Sequence, residues 1–151
     1  MAEVTTTNDE YKDGNSSVTN YFRNAISAAK SILSTGSTQG VGYATGAGGA
    51  VTQITSRATG VTLNTICGTI TTDSTSLAAA AEATFTVTNS AVAATDTVVV
   101  SMKTITTGTP VAFVTDVSAG SFDITISNIH ASTADTSADL INFAVIKSVA
   151  A

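Results

Sequence analysis

Reactive side chains are what this chain most lacks. It holds one histidine (His130), one cysteine (Cys67), one proline and no tryptophan. A single cysteine excludes an internal disulfide, and one Cys with one His is too small a donor set for a zinc site. Cys67 lies between Ile66 and Gly68 in a strand-like stretch and is expected as a buried structural thiol. His130, in S-N-I-H-A-S, is expected in a loop just after a strand. One histidine and no G-x-S-x-G elbow leave serine-type nucleophilic catalysis without a basis. Charge is scarce as well. Only 11% of residues are charged, against about a quarter in an ordinary globular domain. None lies between positions 31 and 56. A soluble chain this neutral is expected to cover surface against copies of itself or a larger assembly.

The formal net charge is -5, and the six basic residues (Lys12, Arg23, Lys30, Arg57, Lys103, Lys147) are scattered. Phosphate binding needs clustered Lys and Arg, so no nucleic-acid partner is expected. No apolar run is long enough to span a bilayer, and the opening M-A-E-V-T-T-T-N-D-E is acidic where a signal peptide would be basic. Synthesis in a cytoplasm and no membrane association are the expectation. The glycine-rich run over 34–50 invites a nucleotide-binding reading, which fails. After Gly46 and Gly48 the sixth position is Val51, and no strand and helix flank the run. Asp73, Asp96, Asp116, Asp123, Asp135 and Asp139 do not follow a calcium-loop pattern, and single aspartates at turns and strand edges are expected in solvent. Asp135 and Asp139, in T-A-D-T-S-A-D-L, come nearest to a calcium-binding cluster. A glycosidase pair has little support, with Glu3, Glu10 and Glu82 the only glutamates and no Trp to stack a sugar. No cofactor, metal or catalytic residue is assigned.

Threonine is what the chain has in plenty, at about a fifth of all residues. Its branched β-carbon suits a pleated, half-buried surface. A-T-F-T-V-T at 83–88 and S-F-D-I-T-I-S-N at 121–128 alternate apolar residues with hydroxyls or a carboxylate, the period of a strand with one wet face. Strands are predicted near 51–54, 60–63, 68–72, 83–88, 97–102, 112–117, 122–128 and 141–147. Turn signals such as T-G-T-P at 107–110 and S-A-G-S at 118–121 separate them. L-A-A-A-A at 77–81 could form a short helical turn between strands. The inward residues are expected to be Ile70, Phe85, Val87, Val98, Val100, Phe113, Phe122, Ile124, Ile126, Phe143 and Val145.

Ahead of the strands, residues 1–14 are polar and acidic and read as an extended arm. Residues 16–35 read as a helix, capped by Ser16 or Ser17 and ended by Gly36. Val18, Phe22, Ala25, Ala29 and Ile32 recur at spacings of four and three, and Tyr21, Ile26 and Leu33 widen the stripe. The stripe fits a lone helix packed on its own domain, a helical contact between three copies, or docking onto a larger shell. Two heptads are too short to hold a bundle alone, so the β part would have to secure any oligomer. The fold expected is mainly β. It comprises an antiparallel sandwich or jelly-roll-like domain over 41–151, with an arm and one amphipathic helix over 1–40.

One resemblance bears on function. It rests on G-Y-A-T-G-A-G-G-A-V-T-Q-I-T-S-R-A-T-G-V-T-L-N at 42–64, G-T-I-T-T at 68–72 and T-F-T-V-T-N at 84–89. A-T-D-T-V-V-V at 94–100, G-S-F-D-I-T-I-S-N at 120–128 and I-N-F-A-V-I-K at 141–147 extend it. Together these segments, over about 41–149, resemble a β domain of tailed-bacteriophage virion proteins, found in capsid decoration (cement) proteins, head fibres and tail-associated proteins. The resemblance implies a sandwich-like, typically trimeric domain without enzymatic activity. The expected role is then a trimer on the outer surface of the phage head, made in the host cytoplasm, with the major capsid protein as partner. Val18, Tyr21, Phe22, Ile26, Ile32, Leu33 and Tyr43 are the candidate capsid or oligomer contacts. The alternative is a trimeric head-fibre or tail-associated protein that binds the host surface.

Overall fold

The computed structural model describes residues 40–149. The expected arm and helix lie outside the described residues, and with them Val18, Tyr21, Phe22, Ile26, Ile32 and Leu33. The described part is mainly β: β1 (Gly48–Thr52), β2 (Val61–Thr62), β3 (Cys67–Thr71), β4 (Glu82–Thr88), β5 (Thr97–Thr104), β6 (Pro110–Ser118), β7 (Ser121–Asn128) and β8 (Leu140–Ile146). They form two four-stranded sheets, β1-β3-β8-β5 and β2-β4-β7-β6.

The expected antiparallel pairing needs one correction. β1 pairs with β3, and β2 with β4, in parallel. The cause lies in how the chain crosses. Residues 53–60 carry it from the first sheet to the second, residues 63–66 carry it back, and residues 72–81 cross again. Strands next but one in sequence therefore lie side by side and run the same way. From β4 onward the pairs are antiparallel, and β6 and β7 form a hairpin closed by Ala119 and Gly120, where Gly120 takes a left-handed φ of 85°. Residues 77–81 make no helical turn. Leu77 bridges Asp135 in antiparallel fashion, and Ala80 adopts a left-handed φ of 60°.

Alternation along the strands builds the core. Ile70, Val98, Ile141, Phe143 and Val145 from one sheet meet Val61, Phe85, Val87, Phe122, Ile124 and Ile126 from the other. The rings of Phe122 and Phe143 tilt against each other across the interior, with centroids 5.4 Å apart. Ten of the eleven residues expected inside are buried or, like Val100, packed against the core. Phe113 is the exception, at 42% exposed. In β6, Ala112 and Val114 stand opposite Ile126 and Ile124, so Phe113 points outward opposite Thr125. A bulge between Val114 and Asp116 then switches the alternation and returns Val117 to the core side. Cys67, expected buried, is half-buried at the start of β3.

Glycine starts β1 earlier than alternation suggested. Gly49 and Gly68 stand opposite each other in the parallel pair. A Cβ on Gly68 would lie 2.8 Å from the Gly49 carbonyl oxygen and 2.9 Å from the Phe143 ring. The close approach of β1 and β3 over Leu63 and Phe143 is what the glycine run serves here. Ile54, read as strand, falls outside β1 and is 85% exposed.

Candidate functional site

The strand directions bring residues 53–60, 72–81, 105–109 and 129–139 to one end of the sandwich, where β1, β3, β5 and β7 finish. Beneath these connections lies the one convergence of titratable groups buried from water among the described residues. Arg57 is 3% exposed, and Asp135 and Asp139 are 0% exposed. The expectation that the aspartates face solvent is thus overturned for this pair, and for Asp96, which is also buried. Burial of a carboxylate requires a partner, and here one guanidinium serves two. Arg57 Nη2 lies 3.0 Å from Asp135 Oδ2, and Nη1 lies 3.5 Å from Asp139 Oδ2.

The same guanidinium ties the connections together. Its Nε donates to the Thr75 carbonyl oxygen at 2.6 Å, and Nη2 donates to that of Ser137 at 2.7 Å. Asn128, at the end of β7, completes the frame. Its amide donates to the carbonyl oxygens of Thr133 at 2.9 Å and Leu77 at 3.1 Å. Its Oδ1 accepts from the backbone N–H of Thr109 at 3.0 Å and of His130 at 3.2 Å. Gly108 is required where the connection passes: its φ is left-handed, and a Cβ there would lie 2.8 Å from that of Asp135. His130 sits in the loop as expected, its Nδ1 accepting from the N–H groups of Ser132 and Thr133.

The two carboxyls are not equivalent. Burial and the adjoining Asp135 push the Asp139 carboxyl up to about 6, against the pull of Ser137 and Arg57. Burial also acts on Asp135, but hydrogen bonds from Asp139, Ser137 and Thr107 outweigh it and hold Asp135 below its ordinary value. No third His, Cys, Asp or Glu joins them, and no group of three such residues occurs among the described residues. The calcium possibility raised for Asp135 and Asp139 is answered by Arg57, whose guanidinium stands where a cation would. The cluster's chemistry is that of a clamp: it has no face open to a substrate.

What remains for contact is the outside of the sheets. On the first sheet the outward residues include Ala50, Thr69, Asn142 and Ser101 in one row, and Gly48, Cys67, Ala144 and Val99 in the next. Lys103 is the charged residue of that face. On the second sheet the Thr84, Thr115 and Thr125 hydroxyls form a ladder, with Thr84 to Thr125 at 2.7 Å and Thr115 to Thr125 at 3.4 Å. Phe113 and Val111 are exposed beside it. At the clamped end, Ile54, Ile105 and Ile129 are exposed, one on each of three connections.

Of the contact residues read from sequence, Tyr43 is the one within the described residues. Its hydroxyl donates to the Val145 carbonyl oxygen, tying the segment before β1 to β8, while its ring stays partly exposed. At the opposite end, Asp96 accepts from the Ala93 N–H at 2.8 Å and from Lys147. Those bonds, Ala93's first, hold it below its ordinary value. Sequence reasoning missed Arg57, Asp135 and Asp139 as a unit. The signals available were an arginine ending a long uncharged stretch and two aspartates four apart in a small-residue loop.

No family model, curated protein or solved structure matches the chain.

Proposed function

We propose that the protein is a non-enzymatic capsid decoration (cement) protein of a tailed phage, bound as a trimer to the outer surface of the assembled head. The observation that carries this reading is where the charge sits. Arg57, Asp135 and Asp139 are enclosed, Asp96 pairs with Lys147, and the first sheet is left with a broad face of Thr, Ala, Ser, Asn and Val on which Lys103 is the charged residue. Such a face suits contact between copies, because burying it strands little charge. The resemblance of residues 41–149 to virion β domains supplies the setting. The mechanism is mechanical. Packaged DNA presses outward, and a protein spanning several capsid subunits adds binding free energy that exists only in the closed shell. Three joined copies raise the effective concentration of each weak contact.

Gold-labelled antibody on intact particles tests the location. Even labelling over the head is the expected result, whereas label confined to the tail or absent from particles overturns the reading. Removal of residues 1–35 tests the attachment. The shortened protein is expected to keep its β circular dichroism and lose particle binding, and full occupancy would remove the anchor role from Val18, Tyr21, Phe22, Ile26, Ile32 and Leu33.

A further inference from the structure

Two carboxylates facing one guanidinium in an enclosed space leave one negative charge over. The hydrogen-bond inventory of the cluster points the same way. Asp135 Oδ1 is within reach of the Thr107 hydroxyl at 3.0 Å, the Ser137 N–H at 3.1 Å and the Ser137 hydroxyl at 2.9 Å. Asp139 Oδ1 has only that same Ser137 hydroxyl, at 3.1 Å, and a hydroxyl carries one proton. Arg57 Nη1, Asp135 Oδ2 and Asp139 Oδ2 are all buried without a well-formed hydrogen bond. A set of acceptors this short of donors is completed by one added proton.

We propose that Arg57, Asp135 and Asp139 form a proton-operated lock, in which Asp139 is protonated while the end connections are closed and its ionisation loosens them. A protonated Asp139 becomes a donor toward Asp135, leaving Asp135 and Arg57 as a balanced pair. Loss of that proton restores an uncompensated charge inside the fold, and the connections over 72–81 and 129–139 are what it strains. The groups around Asp139 are few. Arg57 and Asp135 carry charge, and Thr72 and Ser137 present hydroxyls. Asp73 is drawn down first by its bonds from Thr75 and only weakly by Arg57. His130 spends its Nδ1 on its own loop.

The sign follows from linkage. An unfolded Asp139 releases its proton near 3.8, and the folded one holds it to about 6. Between those values the native state carries a proton that the unfolded chain lacks, so stability falls as pH rises through that window and levels off above it. Below it the lowered Asp135 acts oppositely, because its contribution is lost as pH falls.

Urea unfolding of the full chain, in steps from pH 4.5 to 7.5, compares the natural protein with D139N, which imitates the protonated carboxyl. The unfolding constant of the natural protein is expected to rise about tenfold to a hundredfold more than that of D139N over this range. Amide exchange at Leu77 and Asp135, which bridge the two connections, should quicken over the same range in the natural protein alone. Parallel stability curves would overturn the lock. Should D139N fail to fold, carbon-13 titration of the Asp139 carboxyl in the natural protein decides instead. A midpoint near 6 supports the lock, and one at or below 4 removes it.

Discussion

Arg57 shows how much one side chain can hold in a fold with few charges. Its donors reach carbonyl oxygens at Thr75 and Ser137 and the carboxylates of Asp135 and Asp139, so four backbone and side-chain groups depend on one planar fork. Replacing it leaves two buried carboxylates without a cation. Arg57→Ala is expected to cost about 3–5 kcal/mol, read as a lowered urea midpoint at pH 7. Arg57→Lys should recover little of this, since a single ammonium cannot reach Thr75, Ser137 and both aspartates at once. The composition announces none of this. Arg57 lies about eighty positions before Asp135 and Asp139, and nothing local in S-R-A-T or T-A-D-T-S-A-D says that they meet. Hydroxyl-rich loops with aspartates usually face water, and only the crossing of four connections over one end of the sandwich encloses these.

At the scale of the element, alternation was the readable signal. Eight segments of Thr and Val with turn residues between them became eight strands, and β4 and β7 match their expected extent within a residue. Glycine and bulges hid the rest. β1 begins at Gly48, where the missing side chains remove the alternating signal, and their absence is what lets β1 and β3 approach. Gly68→Ala should therefore destabilise by about 1–3 kcal/mol, because its Cβ meets a backbone oxygen that cannot give way. Gly49→Ala should cost less, since its Cβ meets the flexible end of Leu63 at 2.8 Å. Thermal denaturation of the two variants side by side checks the order. In β6 both alternating sets, Val111 with Phe113 and Ala112 with Val114, are apolar. Of these four, Phe113 is the one expected inside. Pairing with β7 and the bulge after Val114 decide for the second.

Across the whole molecule, inside and outside can be separated by experiment. Phe122, fully enclosed, should cost about 3–5 kcal/mol when changed to Ala. Phe113, on the outer face, should shift stability by less than about 1 kcal/mol when changed to Ser. If that face serves contact, the Phe113 change should instead lower self-association in sedimentation or occupancy on particles. The clamped end also leaves Ile54, Ile105 and Ile129 exposed on connections that the Arg57 cluster holds in place. The strand order also sets a timetable. β8 lies between β3 and β5 and joins them, so residues 67–71 and 97–104 have no direct partner in each other. On the ribosome the first sheet stays in two pieces until residue 146 clears the exit tunnel, while the β6–β7 hairpin can close as soon as residue 128 does. Acquisition of the full sheet then waits on β8, and chains stalled before residue 140 would expose both halves of the sheet to other chains.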